Sequence, residues 1–145
     1  MQVHEVMSKQ VQIVSPNDTI QKAAELMSHT DCGAIPVGEN DRLVGMVTDR
    51  DVAVRAVAQG KAPSQCKVRE VMSDRIRYVF DDETTEKAAE SMSRLQVRRL
   101  PVLNRKKRLV GIVSLGDLAT KHGVPVAGSA LREISKPSTT SAPGR

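Results

Sequence analysis

Two aspartates in this chain sit in the same small setting. Around the first the residues run GMVTDRD (45–51), and around the second GIVSLGD (111–117). Each stretch gives a glycine, two apolar residues, a hydroxyl and, three places on, Asp51 or Asp117. A hydroxyl and a carboxylate at that spacing, where a strand gives way to a helix, can do two different things. They can close a capping box, in which both side chains satisfy amides left over by the first helical turn. Alternatively the carboxylate can accept two hydrogen bonds from a cis-diol, the group a ribose presents. Thr48 or Ser114 and the first-turn amides would then face an anion, and Gly45 and Gly111 would let backbone approach closely. A single box of this kind is more often a cap, so the question turns on why the chain carries two.

The answer lies in the elements around the boxes, because the whole chain is duplicated. Residues 3–37 laid on 68–102 match at 15 of 35 positions, where about two would arise by chance. VHEVMS falls on VREVMS, TIQKAAELMS on TTEKAAESMS and AIPV on RLPV. One extra residue in the second copy, LNRKK against GEND, then brings RLVGMVTDRD (42–51) onto RLVGIVSLGD (108–117). Each copy predicts a short leading helix (VHEVM), a β-rich run (VQIVS), and a turn with a helix cap at Pro16-Asn17-Asp18. A helix follows, with Ile20, Ala23, Ala24 and Met27 on its apolar face. AIPV and LVGMV form a hairpin-like pair around GEND. A second helix runs from Asp49 to Gln59 and stops at Gly60. The recurrence of Met7, Met27, Met72 and Met92 marks them as core positions. The expected organisation is repeat 1 over 1–60, a polar linker at 61–67, repeat 2 over 68–123, and a Pro/Ser/Thr-rich, disordered tail over 124–145 with one helical turn at Leu131–Ile134.

Composition narrows the field. Hydrophobic residues at 39% and charged residues at 27% describe an ordinary water-soluble chain. No apolar run approaches the ~20 residues that span a bilayer, and MQVHEVMSKQ lacks the apolar stretch of a secretory signal. The expectation is a cytoplasmic protein with no membrane partner. Cys32 and Cys66 are then free thiols. The net charge of +5 favours an anionic partner. With Tyr78 and Phe80 as the sole aromatics, the core must be aliphatic. Cys32, Cys66, His4, His29 and His122 show no metal-ligand spacing, so no metal site is expected. No nucleophile–base pair and no Walker-type loop is evident, so no enzymatic activity is expected either.

The order VM…T-x-x-[apolar face]…GAIPV…LVGMVTDRD, given twice over about 120 of the 145 residues, resembles the cystathionine-β-synthase (CBS) domain, and the pair resembles a Bateman module. The resemblance implies an α/β (α+β) fold of tandem β-α-β-β-α repeats packed sheet to sheet about a pseudo-twofold axis. It implies a regulatory module that binds adenosine-containing ligands in clefts between the repeats, needs no cofactor, forms a homodimer and acts on an unknown regulated protein. By the same likeness Asp51 and Asp117 clasp ribose, with Thr48 and Ser114 as polar contacts near it. Each cleft is expected to combine one copy's box with the other copy's segment before Pro-Val. Asp51 would face Val97, Arg98 and Arg99, and Asp117 would face Cys32, Gly33 and Ala34. Two guanidiniums suit phosphate, so the stronger site is expected at Asp51. AMP, ADP and ATP are the favoured ligands, ahead of NAD and S-adenosylmethionine.

Two other readings compete. From Arg94 to Arg108 the chain carries seven basic residues and no acid, which suits weak, salt-sensitive association with nucleic acid. Against it, 105–108 falls on a hairpin turn and no aromatic platform is present. The third reading is a structural partner subunit whose pockets stay empty.

Overall fold

Thr19 starts the first helix, its hydroxyl accepting from the amide of Lys22 at 3.2 Å. The helix, α1 (Ile20–Thr30), buries Ile20, Ala23 and Met27 and ends at Asp31 in the left-handed conformation, φ 50°. Its counterpart α3 (Thr85–Leu95) begins at Thr84 and ends at Gln96, φ 55°, in the same way. The expected apolar face holds with one exception. Ala24 is exposed while its equivalent Ala89 is buried, so the stripe on α1 is one residue narrower than read. The computed structural model describes residues 1–121 and Ile134. The tail read over 124–145 thus lies outside the described residues apart from Ile134, which packs against one of the two cores.

Strands β1 (Ala34–Glu39) and β2 (Arg42–Thr48) form an antiparallel hairpin. Asn40 and Asp41 turn it with φ 55° and 62°, the paired positive values that a two-residue hairpin turn needs. In the second copy β4 (Arg99–Leu103) and β5 (Leu109–Ser114) pair likewise. There the extra residue lengthens the turn. The Asn104 side chain accepts from the amides of Lys106 and Arg108, both at 3.0 Å.

The run VQIVS, read as a strand, is reduced to a single parallel bridge between Val14 and Val37. The reason is local: the Ser15 amide is taken by Asp18 Oδ2 at 2.8 Å, which starts the turn one residue later. Its counterpart is the two-residue β3 (Val79–Phe80), parallel to β4. The second helix is also shorter than read. α2 (Asp49–Arg55) breaks at buried Ala56, and a 3₁₀ turn (Val57–Gln59) carries the chain to Gly60, φ 75°. α4 (Leu115–Lys121) takes the same place in the second copy. Among the described residues no helix is long and apolar enough to cross a membrane.

Two compact units result, and their boundaries are not those of the repeats. One comprises Met1–Val11 with the chain from Arg77 onward; the other is Gln12–Ile76. The leading segment of each copy, termed the strap, therefore belongs to the unit built from the other copy. Strap 3–8 buries Val3 and Val6 with Val79, Ala88, Met92 and Leu100. Strap 68–73 buries Val68 and Val71 with Ile20, Ala23 and Val47. Each opens with a 3₁₀ turn closed by its own glutamate, Glu5 on the Gln2 amide and Glu70 on the Lys67 amide. The anchoring bonds are matched pair for pair. The Val3 amide donates to the Glu83 carbonyl and the Val68 amide to the Asp18 carbonyl, both at 2.8 Å. Ser8 exchanges two backbone bonds with Ile112, at 2.8 and 2.9 Å, and Ser73 exchanges two with Met46, at 2.8 and 2.9 Å.

The straps explain the repeated glycines. A Cβ on Gly45 would lie 2.6 Å from the Ser73 carbonyl oxygen, and one on Gly111 would lie 2.8 Å from that of Ser8. The close approach read for these glycines is thus made by the strap backbone. We expect Gly45→Ala and Gly111→Ala each to destabilise the chain by about 1–3 kcal/mol, measured as a lower urea midpoint; a cost near zero would contradict this crossing. A second test uses fragments. The piece 12–76, which includes its own strap, should show more amide protection in hydrogen exchange than 1–60, which lacks Val68 and Val71.

Candidate ligand site

β2 delivers Thr48 to the start of α2, and both halves of the capping box close there. The Asp51 amide donates to Thr48 Oγ1 at 3.0 Å, and the Thr48 amide donates to Asp51 Oδ2 at 2.9 Å. β5 and α4 repeat the arrangement. The Asp117 amide reaches Ser114 Oγ at 3.1 Å and the Ser114 amide reaches Asp117 Oδ2 at 2.9 Å. The cap reading is therefore realised in both units. It does not exhaust the carboxylates, because an ionised carboxylate offers about four acceptor positions and the cap occupies one oxygen once. Asp51 Oδ1 also lies 3.8 Å from Arg55 Nε, while its side chain is 16% exposed.

Arg55 is a residue that reading the boxes alone missed. Besides pairing with Asp51, it donates through Nη1 to the strap carbonyls of Val71 and Met72, at 3.3 and 3.5 Å. Lys121 occupies the equivalent place and donates through Nζ to the Val6 carbonyl at 3.4 Å. The available signal was that the offset aligning the two boxes also aligns these two basic residues.

The segments before Pro-Val lie beside their own copy's box. The Asp49 amide donates to the Gly33 carbonyl and the Leu115 amide to the Arg98 carbonyl, each at 2.9 Å. Strand register sets Ala34 opposite Thr48 and Arg99 opposite Ser114. Within the units, then, Cys32, Gly33 and Ala34 accompany Asp51, and Val97, Arg98 and Arg99 accompany Asp117. These are neighbours within one unit, whereas the crossed pairing that the resemblance implied concerns residues of different units. The within-unit placement arises because the strand after each segment returns through a short hairpin to the box of the same copy. Arg98 and Arg99 are both exposed. Val97 is 7% exposed and belongs to the core, so it anchors the segment. Cys32 is half-buried and its thiol donates to the Ala34 carbonyl at 3.0 Å.

The remaining candidates divide clearly. In the basic run, Arg105 is committed: it makes hydrogen bonds through Nε to both oxygens of Asp82, at 3.0 and 2.9 Å, and lies 4.1 Å over the Phe80 ring. The hydrogen bond from Arg105 holds the Asp82 carboxyl below the usual range. Burial pushes the Cys66 thiol upward, away from reactivity. Among the described residues no group of three or more His, Cys, Asp or Glu could hold a metal ion.

The family model for the CBS domain matches residues 3–57 and again 68–122. The chain belongs to the CBS domain family. This CBS pair is 48% identical over 134 residues to the CBS domain-containing protein YhcV of Bacillus subtilis, covering 92% of this chain and 94% of the relative. Among solved structures it resembles Hypoxic Response Protein I with two coordinated zinc ions, at 35% identity and a TM-score of 0.75, over 83% of this chain and 98% of that one. It also resembles the CBS domain pair of protein MJ0100 in complex with 5′-methylthioadenosine and S-adenosyl-L-methionine, at 27% identity and a TM-score of 0.70, over 83% and 94% of the two chains.

Because both boxes of this CBS pair act as caps, replacing either aspartate has a cost before any ligand is added. Asp51→Ala and Asp117→Ala should each lower stability by about 1 kcal/mol, and the asparagine replacements, which keep an acceptor, should cost less. Urea denaturation of the unliganded variants measures both; equal costs for alanine and asparagine would mean that the carboxylate oxygen contributes nothing as a cap.

Proposed function

We propose that this CBS pair is a regulatory, ligand-sensing module without catalysis of its own. Its two boxes each hold the ribose of an adenosine-containing ligand, and AMP, ADP and ATP are the favoured candidates. The observation that carries the reading is the doubled box itself. Two carboxylates, fixed by identical caps, retain acceptor positions that a cis-diol can fill, each next to an amide-bonded loop. The MJ0100 pair, with two adenosine-containing compounds in its crystals, supports the ligand class. The phosphorylated members of that class gain support from the two exposed guanidiniums of Arg98 and Arg99. Binding can regulate a target only through differential affinity for two arrangements of the module, so the signal passed on is a shift in that balance. The commitment of Arg105 to Asp82 weighs against the basic run as a nucleic-acid surface.

Thermal unfolding of the full chain against AMP, ADP, ATP, NAD and S-adenosylmethionine tests the reading. A ligand at about 100 times its dissociation constant adds about 2.7 kcal/mol, a rise of several degrees for a chain of this size. The rise, not the starting midpoint, is the readout, since the box variants already differ when unliganded. It should shrink in Asp51→Asn and Asp117→Asn. A panel that leaves the transition unmoved would leave the boxes as caps alone.

A further inference from the structure

The two boxes are alike in backbone and opposite in charge. Beside Asp117, register places Arg99 directly across from Ser114, and the Arg98 carbonyl is fastened to the first amide of α4. Side chains opposite one another on paired strands share a face, with Cβ atoms about 5 Å apart, so the Arg99 guanidinium leaves the sheet on the side of the Ser114 hydroxyl. The same positions beside Asp51 are held by Ala34 and Gly33, with Ala34 across from Thr48. In the residues that make up and flank the Asp51 box the sequence carries Asp31, Asp49 and Asp51 against Arg50; the matching positions of the other copy are Gln96, Leu115, Asp117 and Gly116. One box thus has two cations and one carboxylate, and the other has one cation and three carboxylates. Arg55 does not change the contrast, because Lys121 holds the matching place in the other copy and carries the same charge.

We infer that the boxes sort ligands by the charge on the ribose 5′ substituent. The Asp117 box, with Arg98 and Arg99, takes a phosphorylated nucleoside. The Asp51 box takes a ribose ligand whose 5′ substituent is neutral or cationic. The inference rests on the ribose-binding reading above, and it reverses the ranking that crossed pairing suggested. A phosphate placed beside Arg98 and Arg99 gains charge-assisted, bidentate hydrogen bonds. Placed beside Asp31, Asp49 and Asp51 it meets like charge, where a sulfonium or a thioether is tolerated. The module would then report two chemically distinct ligands at once.

Isothermal titration of the full chain with AMP, adenosine, 5′-methylthioadenosine and S-adenosylmethionine tests the sorting. Wild type should bind AMP more tightly than adenosine at one class of site. In Arg98→Gln/Arg99→Gln the preference for AMP over adenosine should fall roughly 10- to 100-fold, the loss expected for charge-assisted bonds. AMP binding should weaken more in Asp117→Asn than in Asp51→Asn, with the reverse order for S-adenosylmethionine. In the reciprocal Gly33→Arg/Ala34→Arg chain a second AMP site should appear. An unchanged AMP preference without the two arginines overturns the sorting and leaves ribose binding standing. AMP loss greater in Asp51→Asn than in Asp117→Asn also overturns it, by assigning the arginines to the other box. No binding of any probe by wild type removes the ribose reading, and the sorting with it.

Discussion

The passage of each strap across a glycine is the constraint on which the rest of the structure depends. Ser73 pairs with Met46, two residues before Thr48, and Ser8 pairs with Ile112, two residues before Ser114. The strands that deliver the boxes are thus held on one edge by their hairpin partners and on the other by a strap. Only a strand without a side chain at Gly45 or Gly111 lets the strap carbonyl come so near. From the far end of each following helix, Arg55 or Lys121 reaches back to the same strap. Strand, box and short helix are in this way tied to one segment of backbone. That segment has its valines fully buried, and each valine contributes on the order of 1.5–3 kcal/mol.

This tether changes how the capping boxes should be valued. A carboxylate free to rotate would lose side-chain entropy on clasping a diol. Asp51 and Asp117 are already ordered by the amides of Thr48 and Ser114, so that cost is met in folding rather than in binding. Cap and ligand site are therefore not rival readings of one motif. In the ribose-binding reading proposed above, the cap supplies the preorganisation and the remaining acceptor positions supply the recognition. The helices behind the boxes are seven residues each, too short to contribute much dipole, which leaves recognition to side chains and to the amide-bonded loops at Gly33 and Arg98.

Much of this was legible in the residues, and the rest was hidden for identifiable reasons. The duplication, the hairpin around Asn40-Asp41, the Gly60 stop and the closed boxes all follow from local patterns with local causes. The exchange of straps does not, because VHEVMS and VREVMS present the same buried valines whichever copy they cover. Periodicity reports that a face is apolar and not whose core it joins. The shortfall of VQIVS came from competition, with Asp18 claiming the Ser15 amide before a ladder could extend. Arg55 escaped notice because its partners, Val71 and Met72, are sixteen and seventeen residues away.

Duplication also sets what the two sites can become. Immediately after such an event both copies present the same box and the same flanking loop, so both would take the same ligand. Change at the glycines under the straps is resisted by backbone collision, and change at the box hydroxyls and aspartates is resisted by loss of the cap. The exposed positions around the box meet neither penalty: replacing a solvent-facing side chain there costs little in stability. Positions around the box where the copies now differ in charge include half-buried Gly33 and Ala34 against exposed Arg98 and Arg99, and exposed Arg50 against exposed Gly116. Divergence at places that leave the cap intact changes the electrostatic field around the box without altering the fold. For a module whose scaffold is fixed by its straps, that is the direction in which two identical boxes can acquire two ligands.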